Sequence, residues 1–262
     1  MTWRPLLTTA VAAAALALSG CAPDASSDRS PAVERLRVEV LDTRPHDPTA
    51  FTQGLEISDG ELLEGTGLSG RSYLSARDLG TGKERVRVPL ADPLFGEGVT
   101  VAGDTVWQLT WRDGVAVAYD RDTLTELRRV NYEGEGWGVC AQDGRLVTSD
   151  GSDTLTFRDP ATFDRLGTVV VTLDGKPQSQ LNELECASDG SVYANVWQSD
   201  VILRIDPGTG DVTAVVDASG LLTHDERRSV DVLNGIAQVP GTDRFLITGK
   251  YYPHLFEVRF VP

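Results

Sequence analysis

The sequence predicts an all-β fold, a five-bladed β-propeller with its site at the mouth of the central channel. Three observations carry this. Strand-like alternation recurs along the chain ("RLRVEVLDT", "GVAVAYDRDT", "SVYANVWQ", "HLFEVRF") with almost no helical periodicity. Turn dipeptides such as Asp59-Gly60, Gly103-Asp104, Asp143-Gly144 and Asp189-Gly190 punctuate it at short intervals. Aligned on itself, the chain resolves into five units of roughly 40–50 residues, each with about four short strands, as radial repetition produces. Two β-sandwich domains are the alternative, but they would not require this self-similarity.

The N-terminus precedes the repeats. "MTWRPLLTTAVAAAALALSGCAPD" has Arg4, an apolar run and then small residues, which is a secretory signal over residues 1–20 and not a fold element. It ends "LSGC", which resembles the bacterial lipobox, so Cys21 is expected to become the acylated first residue of an exported cell-membrane lipoprotein facing outside the cytoplasm. Ordinary cleavage nearby, with Cys21 inert, is the alternative. Residues 21–36 are rich in Pro, Ser and Asp and read as a flexible tether. The propeller is expected over residues 37–262.

Each unit opens on a Gly-rich or polar motif that begins an inner strand: "TQGLEI", "GEGVTV", "GWGVCA", "NELECA" and "NGIAQV". A turn follows, then an apolar strand ("LLEGTG", "VWQLTW", "LVTSDG", "VYANVW", "FLITGK"), then a strand ending near Asp. The strand "RLRVEVLDT" ahead of the first unit is expected to complete the last blade. Gln53, Glu97, Trp137, Asn182 and Asn234 hold equivalent places and should ring one opening. Cys140 and Cys186 also hold equivalent places in neighbouring units, and a disulfide between them is expected in an oxidising compartment; two buried free thiols are the alternative.

With 262 residues and 40% hydrophobic content the chain can bury a real core, and its 39 Asp+Glu against 24 Lys+Arg argue against nucleic acid or an anionic lipid surface as partner. Several chemistries lack support. His46, His224 and His254 are far apart without zinc spacing, no G-x-S-x-G occurs, and no phosphate-binding Gly loop precedes a helix. What is present is a set of aromatic and polar side chains at blade tops: Phe51, Gln53, Phe95, Glu97, Trp107, Trp111, Trp137, Asn182, Glu183, Trp197 and Lys250. Singly each has a bland explanation, such as a Trp packing between blades. Together they suggest an apolar-walled pocket with few polar groups.

At these residues the chain resembles the plant- and bacterial-type glutaminyl-peptide cyclotransferases. The motifs are "PHDPTAFTQGLEI", "FGEGVTV", "WQLTW", "GEGWGV", "LNELE", "YANVW", "VLNGIA" and "TGK", in order, from about Val40 to Pro262. The resemblance implies a five-bladed propeller that converts N-terminal Gln of peptides or proteins to pyroglutamate with release of ammonia, without a cofactor or catalytic metal. It implies Glu97 as acid/base, with Lys250, Asn182 and Gln53 as further catalytic groups. Phe51, Phe95, Trp111, Trp137 and Trp197 become substrate-binding walls. Tyr252, in "YYPH", departs from the Trp expected before that Pro. Some relatives carry a structural calcium, but no acidic loop here has recognisable calcium spacing. Glu135, the second Glu between glycines, receives no role and reads as an echo of the repeat. The expected partners are peptides or proteins with N-terminal Gln, acted on by a monomer that meets the membrane only through its lipid anchor. A non-catalytic binding propeller or a metal-dependent propeller lactonase are the rivals from other classes.

Overall fold

The computed structural model describes residues 1–3 and 32–262. The remainder of the signal segment, Cys21 and most of the expected tether lie outside the described residues. The first strand, β1 (Glu34–Pro45), begins inside the stretch 21–36 expected as tether. Its first residues are held there by parallel pairing of Glu34 with Ala214 and Leu36 with Val216.

The architecture is all-β. One four-stranded antiparallel sheet contains β2 (Thr52–Ser58), β3 (Glu61–Thr66), β4 (Tyr73–Asp78) and β5 (Glu84–Pro89) in sequence order. A second contains β6 (Gly96–Ala102), β7 (Thr105–Thr110), β8 (Val115–Asp120) and β9 (Glu126–Asn131). A third contains β10 (Val139–Gln142), β11 (Arg145–Thr148), β12 (Thr154–Arg158) and β13 (Arg165–Val170). A two-stranded ribbon, β14 (Thr172–Leu173) and β15 (Lys176–Pro177), leads into β16 (Leu181–Cys186), β17 (Val192–Val196), β18 (Val201–Ile205) and β19 (Val212–Asp217). After the single-turn helix α1 (His224–Arg227) come β20 (Leu233–Gln238), β21 (Arg244–Gly249) and β22 (His254–Val261). These last strands and β16–β19 form one eight-stranded sheet, because β1 lies between β19, which it meets in parallel, and β22, which it meets antiparallel.

The sequence explains the local repetition. An Asp stands at the end of the third strand of a unit or just after it, and its carboxylate oxygen accepts backbone N–H groups two or three residues on: Asp78 from Thr81, Asp120 from Thr123, Asp159 from Ala161 and Thr162, Asp206 from Gly208. Such Asx turns fix where the chain reverses into the outer strand. The first strands β2, β6, β16 and β20 are mostly buried, whereas β5, β9 and β13 are mostly exposed. First strands touch in series: β2 lies against β6 and β20, β6 against β10, β10 against β16, and β16 against β20.

The core fills the gaps between sheets. Leu63, Leu74 and Ala76 pack with Val99, Val106 and Val117; Trp107 and Leu109 pack with Val139, Leu146 and Phe163. On the far side Leu55, Ile57 and Leu62 meet Ala237, Leu246 and Leu255. Cys140 of β10 and Cys186 of β16 are joined by a disulfide, with Cα atoms 5.3 Å apart. Among the described residues no helix is long and apolar enough to cross a membrane.

Candidate active site

The strand starts carry the site because most of them are bulged. Pairing of β2 with β3 slips between Thr52 and Gly54, of β6 with β7 between Gly96 and Val99, of β16 with β17 between Leu181 and Leu184, and of β20 with β21 between Leu233 and Ile236. Gln53, Glu97, Asn182 and Asn234 therefore fall on unpaired positions, where a bulge re-aims side chains out of the normal alternation. The glycine after Glu97 is needed for close approach. A Cβ on Gly98 would lie 2.8 Å from the Trp137 carbonyl oxygen, and the Gly98 N–H donates to that same oxygen at 2.8 Å.

Gln53, Glu97 and Asn182 converge on one cavity of about 470 Å³, and Asn234 lies beneath it. Phe51, Gln53, Phe95, Glu97, Trp111, Trp137, Asn182, Trp197 and Lys250, the nine residues to which the resemblance gave a catalytic or substrate-binding role, all line it. Arg112, Gln198 and Asp231 line it too and were not singled out. The walls are aromatic. Phe95 stands edge-on to Phe51 at 6.1 Å and tilted against Trp111 at 5.5 Å, and Trp137 meets Trp197 edge-on at 5.5 Å.

The polar floor is a directed chain of amides. Asn234 donates through Nδ2 to the Thr52 carbonyl at 3.1 Å and to Gln53 Oε1 at 3.2 Å, and Gln53 Nε2 donates to Glu97 Oε1 at 3.0 Å. A backbone carbonyl can only accept, so it fixes the amide face of Asn234 and thereby which end of Gln53 meets the carboxylate. Asn182 is buried and its amide oxygen has no protein partner.

The electrostatics follow from burial. Glu97 is only 4% exposed, and that desolvation pushes its carboxyl well above the ordinary glutamate value; the Lys250 charge pulls against it and the Glu135 charge adds to it. Lys250 is buried as well, which lowers its ammonium below the ordinary value although Glu97 and Asp231 oppose this. No ion pair within 4 Å joins Glu97 to Lys250 among the described residues; the Lys250 Nζ instead sits 4.7 Å from the centre of the Phe51 ring.

Behind the floor, Glu64 Oε1 accepts from Thr52 Oγ1 at 2.8 Å and pairs with His46 Nε2 at 2.9 Å, while its Oε2 takes Arg77 at 2.7 Å. His46 Nδ1 reaches the Tyr252 carbonyl at 2.8 Å. Both partners of the imidazole are acceptors; burial works against its charged form, but the Glu64 charge and these two hydrogen bonds outweigh that and raise its pKa. Burial alone would raise Glu64, but the charges and hydrogen bonds of His46 and Arg77 hold it at about 2. This buried network ties the start of β2 to the turn after Lys250.

Four sequence expectations change. Trp107 is no rim residue: it is fully buried, packs on Phe163 at 4.9 Å and donates to the Pro160 carbonyl. Alternation in β7 sends it between sheets, whereas Trp111 lies one residue beyond that strand and is free to turn to the cavity. Glu183 does not face the cavity either; its carboxylate accepts the N–H groups of Leu55 and Ile236. Tyr252 is buried in the core, and the neighbouring Tyr251 takes the rim, 5.2 Å from Phe51. Glu135 is more than a repeat's echo. Its Oε2 accepts both the Trp111 indole N–H at 2.8 Å and the Trp137 indole N–H at 3.0 Å, and its Oε1 takes Arg112 at 2.8 Å.

The chain matches the family model described as glutamine cyclotransferase over residues 11–260. It is 37% identical over 227 residues to a glutaminyl-peptide cyclotransferase of Arabidopsis thaliana, covering 85% of this chain and 71% of that protein. The crystal structure of Myxococcus xanthus glutaminyl cyclase superposes with a TM-score of 0.79 at 40% identity, covering 87% of this chain and 98% of that one.

Proposed function

The chain belongs to the glutamine cyclotransferase family, and from that premise we propose that it is a glutaminyl-peptide cyclotransferase, with Glu97 as the proton-transfer group. One observation carries the reading: a single buried carboxyl with a raised pKa, met by one amide, stands in an aromatic cavity. The substrate is the N-terminal Gln of a peptide or protein.

In the reaction the substrate's α-amine nitrogen attacks the carbonyl carbon of its own side-chain amide. The cavity holds the bent conformer that brings the two together, and in an intramolecular step this orientation is a large part of the acceleration. Glu97 takes a proton from the amine as the N–C bond forms, then delivers it to the departing amide nitrogen as the C–N bond breaks, so ammonia leaves and the lactam remains. A free α-amine has a pKa of about 7.7–8.0. Raising Glu97 towards that range brings donor and acceptor closer to balance, where general acid–base catalysis is most effective. Lys250 and the second N–H of Gln53 serve the oxygen that gains charge in the tetrahedral intermediate. Asn182 pairs its unmet amide with the substrate, which offsets a desolvation cost of about 1–3 kcal/mol. Trp111, Trp137 and Trp197 exclude the water that would hydrolyse the amide instead.

The finer architecture is inferred to be a five-bladed propeller. Support comes from the closed series of first-strand contacts and from β1 completing a four-stranded set with β20, β21 and β22. We further propose that the mature protein is a monomeric lipoprotein, acylated at Cys21 and facing outside the cytoplasm, on the strength of "LSGC" at the end of the signal. A Cys21→Ser protein should leave the membrane fraction; full retention there would sink the anchor.

The decisive experiment is incubation with a Gln-initiated peptide, following ammonia release and the matching mass loss. A binding-only propeller would hold the peptide and leave it unchanged.

A further inference from the structure

We propose that Glu135, braced by Arg112, is a positioning residue of this site: it holds the Trp111 and Trp137 indoles so that they meet the substrate with their faces and not with their N–H donors. The proposal rests on the cyclotransferase reading of the cavity and adds to it a residue outside the cavity. Glu135 does not line the 470 Å³ cavity; it lines a separate one of about 560 Å³. One of its carboxylate oxygens takes both indole N–H groups, although Trp111 follows β7 and Trp137 precedes β10, strands of different sheets. The other oxygen takes Arg112, whose guanidinium lies 4.0 Å from the centre of the Trp111 ring.

The arrangement has chemical sense. The substrate carries an amide carbonyl and a peptide carbonyl, both good acceptors. An indole N–H facing the cavity would capture either one and hold the substrate away from Glu97. Hydrogen bonds to a carboxylate are about twice as strong as neutral ones, so an ionised Glu135 draws both donors to the back of the wall. Its carboxyl stays ionised: burial would raise it, but hydrogen bonds from Trp137, Arg112 and Trp111 outweigh that and lower it below the ordinary value. The clamp also reaches further, since Trp111 leans on Phe95 and Trp137 on Trp197. A half-exposed pair such as Glu135–Arg112 adds little stability by itself, so its value lies in the two rings.

Two measurements on the full-length enzyme test this. The first is the indole N–H region of the ¹H–¹⁵N spectrum for wild type, Glu135→Ala and Glu135→Gln. The second is steady-state cyclisation of a Gln-initiated peptide by the same three proteins. In Glu135→Ala the Trp111 and Trp137 cross-peaks should move while Trp107, bonded to Pro160, stays in place. KM should rise about 10-fold or more, the loss of a charge-assisted hydrogen bond, with kcat on the plateau of the pH profile changing less, because Glu97 and the amides keep their places. Glu135→Gln retains one acceptor oxygen and nearly the same volume, so it should fold and show smaller changes of the same kind. Unmoved cross-peaks in both variants, a KM within about twofold of wild type, or a loss confined to kcat overturns the proposal. A wild-type protein that releases no ammonia from Gln peptides overturns the cyclotransferase reading instead, and the spectra then still decide whether Glu135 holds the rings.

Discussion

Glu97 and Glu135 are each flanked by glycines; Glu97 lines the aromatic cavity, and Glu135 lies outside it, bonded to the indole N–H groups of two of its tryptophans. Their chemistry is opposite. Glu97 is buried with a single amide donor and a raised pKa, whereas Glu135 is partly exposed, takes three donors and has a lowered pKa. The difference teaches that a carboxylate's role is set by how many donors meet it and how much water it keeps. A starved carboxyl can exchange a proton near neutral pH; a saturated one is a fixed anion that holds other groups still.

The hardest blow to this contrast is Glu97→Gln, which keeps the shape and removes the proton. General acid–base catalysis is worth roughly 10²–10⁴-fold, so kcat should fall by about that much with little change in KM. A Glu97→Gln enzyme, shown folded by circular dichroism, that turns over within a few-fold of wild type would leave the contrast without a catalytic meaning.

Next comes the scaffold on Glu135's side. The disulfide joins β10, which follows Trp137, to β16, and it closes a loop with a sequence separation of 46. In the chain-entropy treatment such a loop is worth about 4 kcal/mol. The Cys140→Ser, Cys186→Ser double variant should lose stability on that order in denaturant titration while its pH–rate profile stays in place. A profile that moved with it would show that the proton-transfer group depends on this crosslink.

A smaller effect reads the two carboxylates against each other. Glu97 must be ionised to take the amine's proton, so kcat/KM should fall as pH drops through its raised pKa, well above where an ordinary glutamate titrates. The nearby Glu135 charge helps to raise it. Glu135→Gln should therefore shift the acid limb to lower pH. A shift to higher pH, or none, would mean that the two do not sense each other.

The smallest expected effect is none. Among the described residues no group of three or more His, Cys, Asp or Glu is placed to hold a metal ion, so turnover should survive EDTA. Full loss restored by added metal, with the fold intact, would count against a mechanism run by Glu97 alone.

Much of this was legible in the sequence because repetition and motif point to the same positions. The equivalent places of Gln53, Glu97, Trp137, Asn182 and Asn234 marked strand starts, and these residues do meet around one cavity and its floor. The bulges that turn them there were not legible, since a register slip such as Leu181 to Leu184 leaves no mark in a period-two pattern. That slip also explains why Asn182 faces the cavity while Glu183 beside it binds the backbone of β2 and β20. Glu135's role was hidden for another reason. It depends on the side-chain torsions of Trp111, 24 residues away, and of Trp137, and sequence spacing carries no torsions. Trp107 misled because "WQLTW" puts two tryptophans in one short run, and only the end of β7 at Thr110 separates their fates.

The position of β1 has a consequence for how the molecule is made. This strand leaves the ribosome first, yet its partners β19 and β22 are among the last to follow. Arg44, for example, pairs with Glu257 across 213 residues of sequence. At synthesis rates of ~5–20 residues per second the wait is roughly 10–40 s. Through that interval β1 is an unclaimed edge, open to pairing with any other nascent chain. Its sequence "ERLRVEVLDTRP" answers the hazard by placing Arg35, Arg37, Glu39, Asp42 and Arg44 among its apolar residues, charges of the kind that discourage intermolecular strand pairing. Folding must then finish with a contact between the two ends of the domain, a high-contact-order step that makes assembly slow. A chain cut short before β22 would be left with that edge permanently open, the kind of unpaired edge that invites aggregation.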